Sequence, residues 1–227
     1  KYSAYALKKK PVLTWLNAFD FEKNPKKVSE LKKYDGVLVP GGFGARGIPG
    51  KLMVIKYARE HKIPYFGLCY GMQLLTIEYA RNILGLKDAT SREIDPKSKN
   101  LVIDLIPEQI EKLSKMQYGN TMRLGDYVAK LKRGTLAFGA YKSDSITERH
   151  RHRYEVNPEY VKRLEDKGLV FSGKSPDGSL CEIAELPKNV HPFFLGVQFH
   201  PEFLAHPLHP HPLFTAFIKA SIKNKKK

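Results

Sequence analysis

The alternation of apolar and polar positions divides the chain into strand-length runs separated by helical ones. Val12-Leu13-Thr14-Trp15-Leu16 reads as a first strand and Gly36-Val37-Leu38-Val39 as a second, stopped by the glycine-rich run Pro40-Gly41-Gly42-Phe43-Gly44. A helical pattern passes through Met53 to Arg59, and Pro64 opens the strand Tyr65-Phe66-Gly67-Leu68. After Cys69, the apolar positions Met72, Leu74, Leu75, Tyr79 and Ile83 recur at the spacing of one helix face, with Gly85 placed to end it. From Ser91 to Glu148 the periodicity is weak and broken by polar turns. Strand-like runs return at Leu169–Ser172, Leu180–Leu186 and Phe193–Phe199, and an amphipathic helix is expected from Leu213 to Ile222. There is no internal repeat.

Continuous apolar strands alternating with helices mark a parallel sheet covered on both faces. The expected fold is α/β: one domain over residues 1–227, with an open, mostly parallel central sheet and helices on both faces. In such sheets ligands bind beyond the carboxyl ends of the strands, where both glycine-rich loops fall.

Composition adds limits. With 42% hydrophobic and 11% aromatic residues the chain can bury a core. No apolar stretch approaches the ~20 residues that cross a bilayer, and Lys1 to Lys10 is too basic and interrupted for a signal peptide. A cytoplasmic protein with no membrane partner is expected. The net charge of +16 raises nucleic acid as a partner. Its distribution argues against one: the densest runs, Lys8–Lys10 and Lys225–Lys227, lie near the ends without interleaved aromatics. Cys69 and Cys181 are read as free thiols, Cys181 as a small buried side chain in an alternating strand.

Candidate chemistry centres on Gly67-Leu68-Cys69-Tyr70-Gly71, a cysteine between glycines at a strand-to-helix junction. A helix N-terminus stabilises negative charge, so a thiolate is expected to be favoured there, and the Tyr70 backbone N–H can point at the oxygen of an attacked carbonyl. A base and an orienter are supplied by Gly196-Val197-Gln198-Phe199-His200-Pro201-Glu202. In an extended segment residues two apart face the same side, which would let Glu202 hold the His200 imidazole. His206, His209 and His211 lack a cysteine or carboxylate at ligand spacing and read as a rigid surface loop, so no metal is expected.

Taken together, Pro-Gly-Gly-Phe-Gly, Gly-Leu-Cys-Tyr-Gly-Met-Gln and Val-Gln-Phe-His-Pro-Glu-Phe resemble the class I glutamine amidotransferases, with their flavodoxin-like fold. Thr121-Met122-Arg123-Leu124-Gly125 and the run from Glu148 to Asn157 look like the glutaminase domain of CTP synthase, and the match extends from about Tyr34 to Ile222. The resemblance implies that Cys69 attacks the side-chain amide of L-glutamine, that His200 moves the proton and that Glu202 holds His200. Backbone groups of Tyr70 and of Gly41 or Gly42 would form the oxyanion hole. Gly42, Tyr70, Gly71, Met72, Gln73, Glu93 and Arg153 would bind the amino acid, Glu93 at its ammonium and Arg153 at its carboxylate. Tyr70 stands where the family usually has leucine, and Arg92 and Ile94 flank Glu93 where threonine and phenylalanine are usual.

Nothing in the chain resembles the amidoligase half of CTP synthase, and no GxxxxGK[ST] loop is present. The resemblance therefore implies a glutaminase part that needs no cofactor of its own. Its ammonia would serve an amidoligase domain, absent from this chain, that uses ATP with Mg to aminate UTP; GTP would activate, and the full-length enzyme would be a homo-tetramer. Alternatives are the glutaminase of another amidotransferase such as GMP synthase, a γ-glutamyl peptidase of the same fold, or a non-catalytic regulatory domain.

Overall fold

Short, wholly apolar segments build the centre of the molecule, and their side chains alternate between two cores. A computed structural model describes residues 1–105 and 122–224. In chain order the elements begin with α1 (Tyr2–Ala6), α2 (Ala18–Lys23), a 3-10 segment (Pro25–Lys33), β1 (Val37–Val39), α3 (Ile48–Glu60), β2 (Tyr65–Leu68) and α4 (Tyr70–Asn82). They continue with β3 (Thr90–Ser91), β4 (Leu101–Leu105), β5 (Arg123–Leu131), α5 (Leu136–Tyr141), β6 (Ser145–His152), β7 (Tyr154–Val156) and α6 (Pro158–Glu165). Last come β8 (Val170–Lys174), β9 (Cys181–Glu185), β10 (Phe194–Val197), a 3-10 turn (Pro201–Phe203) and α7 (Pro212–Asn224).

The main sheet has the order β1-β2-β10-β9-β8-β5-β6, and β3-β4-β7 form a second, small sheet. Tyr65 and Phe194 face a core shared with Leu52, Ile55 and Ala58 of α3 and Leu74 and Leu75 of α4. Phe66, Leu68, Leu195 and Val197 face the opposite core, with Leu213 and Phe217 of α7 and Ala137 of α5. This period of two is what a sheet covered on both faces requires. Helix α4 is buried from Tyr70 to Ala80 because it packs against β2 and β10 of the main sheet and also against β3, β4 and β7. Among the described residues, no helix is long and apolar enough to cross a membrane.

The α/β class, the helices on both faces and the strands expected around Val37, Tyr65, Val170, Cys181 and Phe194 are as read. The expected predominance of parallel pairing is corrected: β1–β2 and β2–β10 are parallel, and β10–β9, β9–β8, β8–β5 and β5–β6 are antiparallel. β1 and β2 are joined through the covering helix α3, a crossover long enough for parallel pairing; β8 and β9 are joined by the tight Pro176-Asp177-Gly178 turn, which forces antiparallel pairing. Val12–Leu16 is not a strand. Val12 and Trp15 are each 89% exposed, and without a neighbouring edge a strand-prone run gains no ladder hydrogen bonds. The weakly periodic stretch Ser91–Glu148 holds β3, β4, β5, α5 and the start of β6, its residues 106–121 lying outside the described ones, as do Lys225–Lys227.

Candidate active site

The junction of β2 and α4 is a strained turn. Cys69 has φ 47 and ψ −99, a left-handed backbone that costs a non-glycine residue roughly 1–3 kcal/mol and persists only where the surroundings enforce it. The enforcement is visible. Cys69 N donates to Val197 O at 2.6 Å, and the Tyr65 hydroxyl donates to Gly71 O at 2.9 Å. A Cβ at Gly67 would lie 2.6 Å from the Gly71 carbonyl carbon, and one at Gly71 would lie 2.4 Å from Val39 O, so the turn closes only with glycine at both places.

His200 follows β10 at the carboxyl edge of the same sheet. Its Nδ1 stands 2.7 Å from Glu202 Oε1, and its ring stacks on Phe203 at 4.8 Å. The extended geometry expected between His200 and Glu202 is corrected: Pro201–Phe203 is a 3-10 turn, and the pair meets because that turn brings nearby residues together. Gly41 separates His200 from Cys69. The place of a Gly41 Cβ is 2.9 Å from His200 Cε1 and 3.8 Å from Cys69 Cβ, so glycine lets both side chains close on one spot. Cys69 and His200 make no hydrogen bond; His200 Nε2 is buried without a partner among the described residues, and the Cys69 sulfur accepts instead from Gln198 Nε2 at 3.7 Å.

Gln198 is a site residue that sequence reasoning missed. It is fully buried, its carbonyl faces Gln73 Nε2 at 3.4 Å, and Gln73 also donates to Tyr154 O at 3.0 Å. An uncharged polar residue inside the apolar run Phe193–Phe199 was the available signal.

The thiol environment corrects a second expectation. Burial pushes the Cys69 thiol up to about 12, with Glu155, Glu202 and Glu93 adding to the rise and the Tyr70 backbone N–H opposing it. Desolvation outweighs the helix N-terminus, so the resting group is the neutral thiol rather than the expected thiolate.

The glycine-rich loop is tied down on both sides. Gly44 N donates to Glu93 Oε1 at 2.9 Å, and the Tyr70 hydroxyl donates to Gly44 O. Gly42 lies beside the Tyr70 ring, whose Cδ1 is 3.5 Å from the place of a Gly42 Cβ. The Met72 and Gln73 backbone N–H groups are used by Cys69 O, and the Met72 side chain is in the core. Glu93 is half-buried just beyond β3, whereas Arg153, just before β7, is exposed, with no carboxylate in ion-pair range among the described residues. Of the three loop histidines, His206 and His209 are exposed as expected. His211 is not: it is buried, with Nε2 2.8 Å from Glu148 Oε1.

The family model for Glutamine amidotransferase class-I matches residues 4–220. The chain belongs to the class I glutamine amidotransferases. Among curated members it is 51% identical over 227 residues to the CTP synthase of Staphylococcus saprophyticus, covering 99% of this chain and 41% of that one. It is 55% identical over 215 residues to the CTP synthase of Caldanaerobacter subterraneus, covering 94% and 38%. This amidotransferase chain thus spans about two-fifths of the length of the curated relatives it matches. Its fold matches the solved glutaminase domain of Trypanosoma brucei CTPS with bound acivicin, with a TM-score of 0.91 and 34% identity over 100% of this chain and 86% of that one.

Proposed function

We propose that this chain is the glutaminase part of a CTP synthase and that it hydrolyses L-glutamine through Cys69, His200 and Glu202. The observation that carries the reading is the meeting of Cys69, in its left-handed turn, with the His200–Glu202 pair across Gly41. Because the resting thiol is neutral, the base must act as the bond forms. Sulfur attacks the amide carbon while His200 Nε2 accepts the thiol proton, and Glu202 accepts from Nδ1–H and stabilises the imidazolium. The oxyanion develops against backbone N–H groups of Tyr70 and of Gly41 or Gly42. The carbon–nitrogen bond then breaks, His200 returns the proton to the leaving ammonia, and a glutamyl thioester remains for water to cleave.

Glu93 and Arg153 take the ammonium and carboxylate of glutamine, with Gly42, Gly71, Met72 and Gln73 shaping the pocket through main chain and packing. In the longer enzyme the ammonia aminates UTP in a cytoplasmic amidoligase that uses ATP with Mg and responds to GTP. Those functions belong to chain beyond these residues, so slow basal hydrolysis is expected here.

Covalent capture tests the reading. A diazoketone analogue of glutamine is expected to modify Cys69, to spare Cys181 and to find no target in Cys69→Ala, as read by peptide mass spectrometry. Equal modification of the two thiols would remove the basis for the assignment.

A further inference from the structure

Behind the site lies a group of charged side chains that the proposed reaction does not use. Arg123 of β5 donates through Nη1 to Glu155 Oε1 of β7 and through Nη2 to Glu182 Oε1 of β9, both at 2.9 Å. Its guanidinium lies 4.3 Å from the Tyr127 ring centroid. His152 Nδ1 is 3.4 Å from Glu155 Oε1, and His150 Nδ1 is 2.8 Å from His152 Nε2 and 3.7 Å from Glu182 Oε2. The side chains of Glu155 and Glu182 are 3% and 0% exposed and that of Arg123 only 10%, so these charges are held out of water.

Such a cluster is a poor way to gain stability. Desolvating the ions costs several kcal/mol each, and well-packed apolar residues often serve as well. Burial pushes the Glu155 carboxyl well above its usual range, Glu182 adding to it, and burial raises Glu182 too, with Arg123 opposing both shifts.

What the arrangement does supply is fixed geometry between the two sheets. Glu182 and Arg123 belong to the main sheet, which carries Cys69 and His200 at its edge; Glu155 belongs to the small sheet. In the small sheet β3 runs parallel to β4 and β4 antiparallel to β7, so the end of β3 and the start of β7 lie at one edge. Glu93 follows that end and Arg153 precedes that start. The small sheet and its junction with β6, where Arg153 is the single linking residue, therefore present the two charges proposed for the ends of glutamine, and the far side of the main sheet presents the proposed nucleophile. Between them, α4 supplies apolar packing, which has no direction. The polar ties include the Gly44 N bond to Glu93, the approach of His152 to Glu155, the Gln73 bond to Tyr154 O and the Arg123 fork, whose planar donors fix both carboxylates at once.

We propose that Arg123 is a positioning residue for glutamine: by clamping Glu155 to Glu182 it sets the distance between the edge that holds the substrate's charged ends and the turn that holds Cys69. The inference rests on the glutaminase reading above. Its test is the concentration dependence of Cys69 modification by the diazoketone analogue, beside iodoacetamide, which has no amino acid ends. Arg123→Lys, which keeps the charge and loses the fork, is expected to raise the half-saturating analogue concentration about tenfold, leaving the limiting rate and the iodoacetamide rate within about threefold of the unmodified chain. Glu182→Gln, which keeps an acceptor for one N–H, is expected to raise it about threefold.

A folded Arg123→Lys chain with an unchanged half-saturating concentration overturns the proposal. So does an equal fall in the limiting and iodoacetamide rates, which marks a merely structural role. Should Arg123→Lys not fold, an unchanged value in Glu182→Gln overturns it. In each of these outcomes the unmodified chain is still captured at Cys69; absence of that capture overturns the glutaminase reading, and the proposal with it.

Discussion

Cys69 and Cys181 are both buried, and burial pushes both thiols up to about 12. Their surroundings differ in every other respect. Cys181 begins an antiparallel strand, pairing with Lys174 beside a register shift, in backbone without a positive φ. Cys69 sits at φ 47 between two obligatory glycines, with a histidine–carboxylate pair closing on it across a third. Desolvation alone does not single out a nucleophile. What sets the proposed nucleophile apart is a backbone forced into a costly shape where a histidine–carboxylate pair converges.

The largest expected effect comes from disturbing the proposed base. Glu202→Gln is expected to slow analogue capture of Cys69 about 10^2-fold or more while leaving alkylation of denatured Cys181 unaltered. A loss under about twofold would place the two thiols on the same footing. Next is the turn itself. Gly67→Ala drives a methyl into the Gly71 carbonyl and is expected to cost about 2 kcal/mol in urea unfolding. Gly178→Ala, in the open turn before Cys181 with nothing within 4 Å, meets only its φ of +80 and should cost about 1 kcal/mol.

A further effect is a shared one. Both thiols have an ordinary value of 9.0 raised to about 12, so the folded chain keeps protons that the unfolded chain releases. Their contribution to stability is whole below pH 9 and drains away as pH rises towards 12. Urea midpoints across that range should fall less steeply in Cys69→Ala and in Cys181→Ala, by similar amounts. A difference between the two variants would show that their burial is not equivalent.

The elbow, its glycines and the strands beneath it were legible because hydropathy there follows burial. The far side of the main sheet, β5 and β6, was not, for a physical reason. Along β6 the buried residues are Ile146, Glu148, His150 and His152, alternating with exposed neighbours in perfect period two. Three of those four inward positions are ionisable, so a pattern read from apolar residues sees no strand. Arg123 and Glu155 hide their own strands in the same way, since a charge that finds a buried partner looks, in sequence, like one that faces water. Glu202 was found by its spacing from His200, though a tight turn rather than an extended segment makes the contact.

That turn separates two kinds of dependence. The imidazole and its carboxylate are neighbours along the backbone, so their union has low contact order and survives fraying elsewhere. Their encounter with sulfur joins residues far apart in sequence and requires the neighbouring strands β2 and β10 to remain zipped in register. Under mild denaturant the acid–base couple should outlast the reactivity it serves: inactivation would precede its dissolution.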